Sequence, residues 1–439
     1  MPEEIKTIQV GQLGCGTVGS GVVRVLRENA EAISARTGCE IEIKAIAVKD
    51  LSDPRYVEVP EDMLTTDALE VIRDPEVDIV VEVIGSIEPS RALILEAIAQ
   101  GKHVVTANKE LMSMHGGEIL RAAEQRGVNI AFEASVGGGI PIILPLKQSL
   151  AGNTIRHILG IVNGTTNYVL TRMSEEGLSL PEAISKAQSL GYAEPDPTAD
   201  LEGKDAAAKL AILASIAFNS RVTLQDVYAE GITAISSEDI SFAGELGYAI
   251  KLLAVAKDEP DGISVRVHPT MIPADHPLAS VKNENNAIFV SGDAVGELMF
   301  YGKGAGSLPA ASAVVGDIIT IARSMLSGGH LVGCTCFSEK PIKDMKDVVC
   351  RYFMIFEVPD RPGVLARIAG IFGDNQVSIK SVIQHGMANE ARIVLITHAV
   401  REESLRATVS GLEKLEVVSR IASVIRVEET DVGEESLER

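Results

Sequence analysis

Asp205 and Lys209 stand four residues apart in the alanine-rich run "KDAAAKLAILASIAF". In a sequence of high helix propensity, that spacing puts a carboxylate and an ammonium on one helix face. An i, i+4 ion pair is commonly a surface ornament worth about a few tenths of a kcal/mol, but the setting here differs. The preceding segment, "GYAEPDPTAD", carries Glu194, Asp196 and Asp200 with two prolines, an irregular acidic loop feeding the helix. Such loops commonly carry binding groups. A second constellation lies near the N-terminus, where Gly14, Gly16 and Gly19 in "LGCGTVGSG" match G-x-G-x-x-G. One glycine serves the tight turn, one lets the backbone approach a pyrophosphate, and one lets the helix pack on the strand. The chemistry of such a turn is anion binding by unpaired N–H groups at the positive end of a helix dipole. A glycine-rich surface turn is the plain alternative. The apolar strand before the motif and the apolar periodicity after it supply the context that the dinucleotide reading requires.

The elements around these groups are legible in outline. The strand "EIEIKAIAVKD", Glu40 to Asp50, should end beside the adenosine ribose of such a ligand. An acidic residue alone there would bind the 2′-hydroxyl of NAD, whereas a basic one accommodates the 2′-phosphate of NADP. This tip carries both Lys49 and Asp50, with Arg55 close behind, which favours NADP with NAD also usable. Solvated charges at a strand end are the competing reading. A buried strand from Ile79 to Ile84, a helix from Ser90 to Gln100 closed by Gly101, and a strand from His103 to Thr106 give the rhythm of a parallel sheet. Ligands collect at the carboxyl ends of such strands, so Gly85, Ser86, Thr106, Asn108 and Lys109 are expected to point to the cofactor crevice. After Gly127, "VNIAFEASVGGGIPIILPL" reads as a strand, a sharp turn and an apolar helix. Glu133 and the exposed carbonyls of that turn could gather round a hard cation, or the turn could simply be tight.

Composition bounds the alternatives. The chain has 439 residues, 46% of them apolar, enough for several globular domains. Forty Lys plus Arg against 61 Asp plus Glu give a formal charge of −21, which argues against a nucleic-acid partner held by phosphate neutralisation. No uninterrupted apolar run reaches the length of a membrane span, and "MPEEIKTIQV" lacks the features of a signal peptide, so a cytoplasmic location is expected. Five cysteines, at 15, 39, 334, 336 and 350, are too few and too odd in number for a disulfide framework. Cys334-Thr335-Cys336 has the look of half a metal site, but no second cysteine or histidine pair has the spacing to complete it.

The motifs "TANKELM", "EASVGGGIPII", "NGTTNYVL", "GYAEPDPTADLEGKDAAAKL" and "YGKGAGSLPAASAVVGDI" follow the glycine fingerprint in the order seen in homoserine dehydrogenases, and the chain resembles that family over about residues 5 to 325. The resemblance implies reversible, NAD(P)-linked interconversion of L-aspartate 4-semialdehyde and L-homoserine, a step towards threonine, methionine and isoleucine. It implies that Gly14, Gly16, Thr17, Val18, Lys109, Gly191 and Gly306 bind the cofactor, beside the Lys49 read from the strand tip, and that Glu194 and Asp205 bind the substrate. Lys209 would be the proton donor. Glu133, Val136, Gly138 and Ile140 would hold a sodium-like ion, largely through carbonyls. Members favouring NADP often carry Arg and Lys around the second strand tip, where Lys49 and Asp53 stand here. The assignment of Lys209 agrees with the chemistry, because hydride arriving at an aldehyde carbon makes an alkoxide that a positioned ammonium both stabilises and protonates.

From Tyr352 the pattern restarts as strand, helix Gly363 to Phe372, strand, strand, helix and strand. The run "DRPGVLARIAGIFGDNQVSI" resembles an ACT domain, which implies an amino-acid effector, threonine first, and pairing between copies of the chain as a homodimer or homotetramer. Purely dimerising use is the alternative. The expected α/β architecture is a Rossmann domain (1–135), an α+β substrate and dimerisation domain (136–330), a linker (331–350), a βαββαβ ACT domain (351–428) and an acidic tail (429–439). An aspartate dehydrogenase on the same scaffold and a non-catalytic sensor of NAD(P) or amino acids are the rival functions.

Overall fold

The computed structural model describes residues 6–429, except 54, 388 and 389. Its first unit is a six-stranded parallel sheet. Strand β1 (Thr7–Leu13) enters helix α1 (Thr17–Glu28), followed by β2 (Glu40–Ala47), β3 (Leu64–Thr65), β4 (Ile79–Glu82), α2 (Ser90–Ala99), β5 (His103–Thr106), α3 (Lys109–Arg126) and β6 (Ile130–Ala131). The strand order β3-β2-β1-β4-β5-β6 is that of a doubly wound dinucleotide fold, with its ligand crevice at the carboxyl ends where β1 and β4 diverge. Ile79, Val80 and Val81 are fully buried, as a strand covered on both faces requires.

The central unit comprises β7 (Ile155–Ile161), α4 (Gly164–Glu176), α5 (Lys204–Ala217), β8 (Tyr248–Glu259), β9 (Gly262–Pro273), β10 (Asn285–Gly292), β11 (Gly296–Lys303) and α6 (Ser307–Ser327). Helix α6 returns to the first unit. Its Val314, Ile318 and Ile321 pack with Val22 and Leu26 of α1 and with Ile8 and Val10 of β1. Among the described residues it is the one helix long and apolar enough to cross a membrane, but half of its apolar window is buried inside the protein. Helix α5 is buried along nearly its whole length, which explains why its sequence is apolar all round apart from Lys204, Asp205 and Lys209.

The C-terminal unit runs β12 (Val349–Pro359), α7 (Val364–Asp374), β13 (Ile379–Met387), β14 (Glu390–Thr397), α8 (Glu402–Leu412) and β15 (Arg420–Val427), the βαββαβ order expected. It is not a separate bead. Strand β15 pairs in parallel with β9, Thr270 opposite Arg426, so one sheet runs β11-β10-β7-β8-β9-β15-β12-β14-β13 through both units. Buried charges lock the seam. The Arg266 guanidinium and the Lys257 ammonium both donate to Glu428, and Arg426 bridges Glu230 at 2.7 Å and Glu402 at 2.8 Å. Burial pushes the Glu428 carboxyl up, while Lys257 and Arg266 pull it down to about 2.

Two expectations change here. Glu429, placed in an acidic tail, accepts hydrogen bonds from Tyr248 at 2.6 Å and from Lys380 at 2.9 Å; the rest of that tail lies outside the described residues. The expected linker is irregular but pinned along the body: the N–H of Cys334 donates to Glu124, that of Ser338 to the Asn219 carbonyl, and that of Lys343 to the Ile263 carbonyl.

Candidate active site

The glycine turn opens on a crevice of about 800 Å³ lined by Gly14, Gly16, Lys49, Arg55, Ile84 and Ser86, among others, at the carboxyl ends of the sheet. The three fingerprint glycines are needed for different reasons. Gly14 has φ +102, and a Cβ there would stand 2.9 Å from the Val83 carbonyl oxygen. A Cβ on Gly19 would lie 2.3 Å from the Gly14 oxygen. Gly16 has no neighbour within 4 Å of its would-be Cβ and forms the N-cap of α1. What requires glycine at 16 is therefore whatever enters the crevice, as a pyrophosphate at a helix N-terminus would. Thr17 and Val18 open the same helix, and the Thr17 carbonyl accepts the Ser307 hydroxyl at 2.6 Å. That contact brings Gly306, the N-cap of α6, to the phosphate end. Gly191, with φ +76, turns the chain into the acidic loop.

At the second strand tip the charges sort themselves. Asp50 accepts from the Ser52 N–H at 2.8 Å and its hydroxyl at 2.7 Å, which spends the carboxylate locally and lowers its pKa. Arg55 donates to the Asp50 and Leu51 carbonyls and keeps a buried Nε without a partner among the described residues. Lys49 and Arg55 thus line the crevice beside the carboxylates of Asp50 and Asp53, and Arg55 is a lining residue that the family pattern did not mark. Two residues expected at the crevice have structural work instead. The Thr106 hydroxyl donates to buried Glu82 at 2.6 Å, and Asn108 caps α3 by accepting the Leu111 N–H at 3.0 Å.

Beyond the crevice, buried Asp205 is held between two lysines. Its Oδ1 is 2.6 Å from Lys109 Nζ and its Oδ2 is 2.7 Å from Lys209 Nζ. Asn163, the N-cap of α4, donates to Asp205 at 2.8 Å and to Asp200 at 2.6 Å. Burial would raise the Asp205 carboxyl, but Lys209 and Lys109 outweigh it and hold it well below the ordinary range. Burial likewise opposes the charge on Lys109, and Asp205 outweighs it, so that lysine sits above its ordinary value. Lys109 was expected at the phosphate or nicotinamide. The structure puts it on Asp205, because it is the first residue of α3 and α3 lies against α5. Lys209 spends a second N–H on the Val162 carbonyl at 2.7 Å, leaving one of its three donors without an acceptor among the described residues.

Glu194 stands apart from this cluster: it is exposed, and its main-chain oxygen accepts from Gln188 at 3.2 Å. Asn163 was not among the sequence-derived site residues, although it lies in the "NGTTNYVL" motif that helps carry the family resemblance; Asp200 was named only as part of the acidic loop.

The glycine turn after Glu133 has Gly137 and Gly138 at φ +72 and +56. The Glu133 carboxylate does not face it as a free ligand: it accepts the N–H groups of Ile142, Ile143 and Leu144. The carbonyls of Val136, Gly138 and Ile140 accept no hydrogen bond from the described residues, so three main-chain oxygens are available to a hard cation. Any oxygen Glu133 adds would be its main-chain carbonyl. Gly138 also abuts Gly304, whose oxygen would lie 2.5 Å from a Cβ, so this turn touches the loop that leads to Gly306.

Comparison with known proteins agrees with this layout. The sequence matches the homoserine dehydrogenase family over residues 141–319, the homoserine dehydrogenase NAD binding domain over 14–133, and the ACT domain over 352–417. It is 47% identical over 435 residues to a homoserine dehydrogenase of Synechocystis, covering 96% of this chain and 99% of that one. It is 44% identical over 430 residues to that of Bacillus subtilis, with 97% and 99% covered. Among solved structures, the homoserine dehydrogenase of Thiobacillus denitrificans superposes with a TM-score of 0.91 at 43% identity over 97% of this chain and 99% of that one. A hyperthermophilic archaeal homoserine dehydrogenase in complex with NADPH gives a TM-score of 0.60 at 26% identity, with 72% and 97% covered. A dinucleotide crevice, a carboxylate between two lysines and full-length similarity to these enzymes place the chain in the homoserine dehydrogenase family, whose members are NAD(P)-dependent oxidoreductases acting on a CH–OH group.

Proposed function

We propose that the chain interconverts L-aspartate 4-semialdehyde and L-homoserine in the cytoplasm, towards threonine, methionine and isoleucine, with NADPH preferred and NADH also accepted. The observation that carries the reading is the pair of lysines on the two oxygens of buried Asp205. When bound, the nicotinamide coenzyme supplies or accepts the hydride. Lys209 directs its remaining N–H at the carbonyl oxygen of the aldehyde, stabilises the alkoxide and transfers the proton at Nζ. Asp205 fixes both ammonium groups and keeps that of Lys109 charged, and with Glu194 it holds the polar end of the substrate. Lys109 adds positive charge beside the same oxygen.

The coenzyme preference rests on Lys49 and Arg55 facing the crevice while Asp50 is occupied by Ser52. The free carbonyls of Val136, Gly138 and Ile140, with the main-chain oxygen of Glu133, hold a sodium-like monovalent cation. The C-terminal unit takes an amino-acid effector, threonine first, that lowers turnover, and the enzyme works as a homodimer or homotetramer. Strand β11 at the sheet edge, with Met299 40% and Tyr301 55% exposed, offers a face for a second copy.

Coenzyme oxidation with aspartate semialdehyde, run with NADPH and NADH side by side, with and without sodium and threonine, tests each part. Lys49→Ala and Arg55→Ala should each lower the NADPH/NADH ratio of kcat/KM. A ratio unmoved by both substitutions removes these residues as coenzyme readers, and no turnover with either coenzyme removes the assignment.

A further inference from the structure

The helices that present Lys109 in the first turn of one and Lys209 in the second turn of the other are tied together at their far ends by the segment containing Cys334 and Cys336. The Cys334 N–H donates to Glu124 near the end of α3 at 2.7 Å. The Cys336 thiol donates to the Ser215 carbonyl near the end of α5 at 3.6 Å. The Phe337 N–H folds back on the Thr335 carbonyl at 3.0 Å, a tight turn centred on Cys336. Arg221 places Nη2 3.5 Å from Cys334 Sγ, and Lys147 lines the same small recess of about 20 Å³ together with Met112 and Ile212. That volume is on the order of one water-sized molecule.

Among the five cysteines these two are the half-buried ones; Cys15, Cys39 and Cys350 are buried. The charged groups facing the pair are Arg221 and Lys147, opposed by Glu124. The neighbouring Cys336 thiol, its N–H and Arg221 bring the Cys334 thiol down to about 5 against burial and Glu124. Cys334 and burial push Cys336 up, with Arg221 and Lys147 opposing. The Arg221 guanidinium beside Cys334 favours the ionised form of that sulfur, and Cys336 supplies a second thiol two positions on, the arrangement of an attacking and a resolving thiol.

We propose that Cys334 and Cys336 form a peroxide-oxidised dithiol whose disulfide form releases the end of α5 and lowers turnover. The Cys334 thiolate attacks one oxygen of hydrogen peroxide; the O–O bond breaks, hydroxide leaves, and Cys334 becomes a sulfenic acid. The Cys336 sulfur then attacks the sulfenyl sulfur; the S–S bond forms, the S–O bond breaks, and water leaves. The two thiols are oxidised, one peroxide is reduced, and two waters result. A disulfide needs its sulfurs about 2.0 Å apart and consumes the Cys336 S–H, so the hydrogen bond from Cys336 to the Ser215 carbonyl is lost. The end of α5 then loses that tether.

The test uses the full-length, reduced chain. After exposure to hydrogen peroxide, unfolding and alkylation with iodoacetamide, mass spectrometry should find the peptide with both cysteines unalkylated and two hydrogens lighter. Turnover should fall severalfold and return with dithiothreitol. Cys336→Ser should stop at a Cys334 sulfenic acid captured by dimedone, and Cys334→Ser should capture none and keep its turnover through peroxide treatment. Two alkylated thiols after peroxide would overturn the site. A complete disulfide with unchanged turnover, or a Cys334→Ser chain that peroxide inactivates as it does the parent, would overturn the latch.

Discussion

Asp205→Asn is the sharpest perturbation the active site offers, because it removes one charge and almost no volume. Two ammonium nitrogens lie 2.6 and 2.7 Å from the carboxylate oxygens. At an effective dielectric of about 20, each contact is a gross attraction of ~6 kcal/mol. Desolvation of the buried carboxylate cancels part of that, and removing one close counter-charge ordinarily moves a titration by about 1–3 pH units. The sign follows from Lys109: burial already opposes its charge, and Asp205 is what reverses the balance. Without Asp205, burial stays and two like charges face each other, so the ammonium forms lose their protons at lower pH. Reduction of the semialdehyde needs a protonated donor, and oxidation of homoserine needs the same group deprotonated. The alkaline limb of the first profile and the acid limb of the second should therefore both move down, by about 1–3 pH units. Steady-state rates in both directions across pH, at saturating coenzyme and substrate, measure this directly. Profiles that stay in place with near-parental turnover would refute the charge argument.

Lys209→Ala should lower turnover by about 10²–10⁴ while coenzyme affinity holds, and Lys109→Ala should do so less severely, since it too acts on Asp205; a Lys209→Ala enzyme within about threefold of the parent, far short of that floor, would strip Lys209 of its role. Gly16→Val should melt like the parent, because its Cβ meets nothing within 4 Å, yet lose coenzyme binding in calorimetry; unchanged affinity would show that no phosphate comes near Gly16. Glu428→Gln leaves the fully buried Arg266 short of its counter-charge and should cost about 3–5 kcal/mol at neutral pH, read as a lower Tm. Because Glu428 titrates lower folded than unfolded, its contribution is present above about pH 4.3 and is lost as pH falls towards 2. The parent should therefore lose stability more steeply than the variant across that window, and equal melting at neutral pH would show that the pair does not hold the seam.

What the sequence disclosed follows the range of the forces involved. The glycine turn, the strand–helix alternation and the Asp205–Lys209 spacing are local, fixed by backbone sterics and helix pitch over a few residues, and each is found where its pattern put it. Lys109 reads from its strand-end position as a crevice residue, and nothing local announces its ion pair with Asp205, 96 positions later on a helix from another unit. The acidic C-terminal run was read by composition as solvated tail. Glu429 shows the limit of that reading: Tyr248, which donates to it, is 181 residues away in sequence, and no local pattern announces such a pairing. The same holds for the parallel β9–β15 contact, which turns an appended module into a continuation of the central sheet.

That continuity bears on how the units act together. Lys109 begins a helix of the nucleotide unit, whereas Asp205 and Lys209 belong to the central one, so the Lys109–Asp205 ion pair spans the two units. One carboxylate thereby ties the nucleotide unit to the helix that carries Lys209. The start of α5 is also close to the seam with the C-terminal unit. A Cβ at Gly203, its N-cap, would lie 3.1 Å from Val267 on β9, the strand whose Thr270 pairs with Arg426 of β15. Arg426 in turn grips Glu230, and the residues after Glu230 pack on the turn before α5, where the Ile232 N–H donates to the Leu201 carbonyl at 2.9 Å. A shift of β15 therefore reaches the first turn of α5 by two routes, the strand pair and the ion pair, and the group it meets there is Asp205.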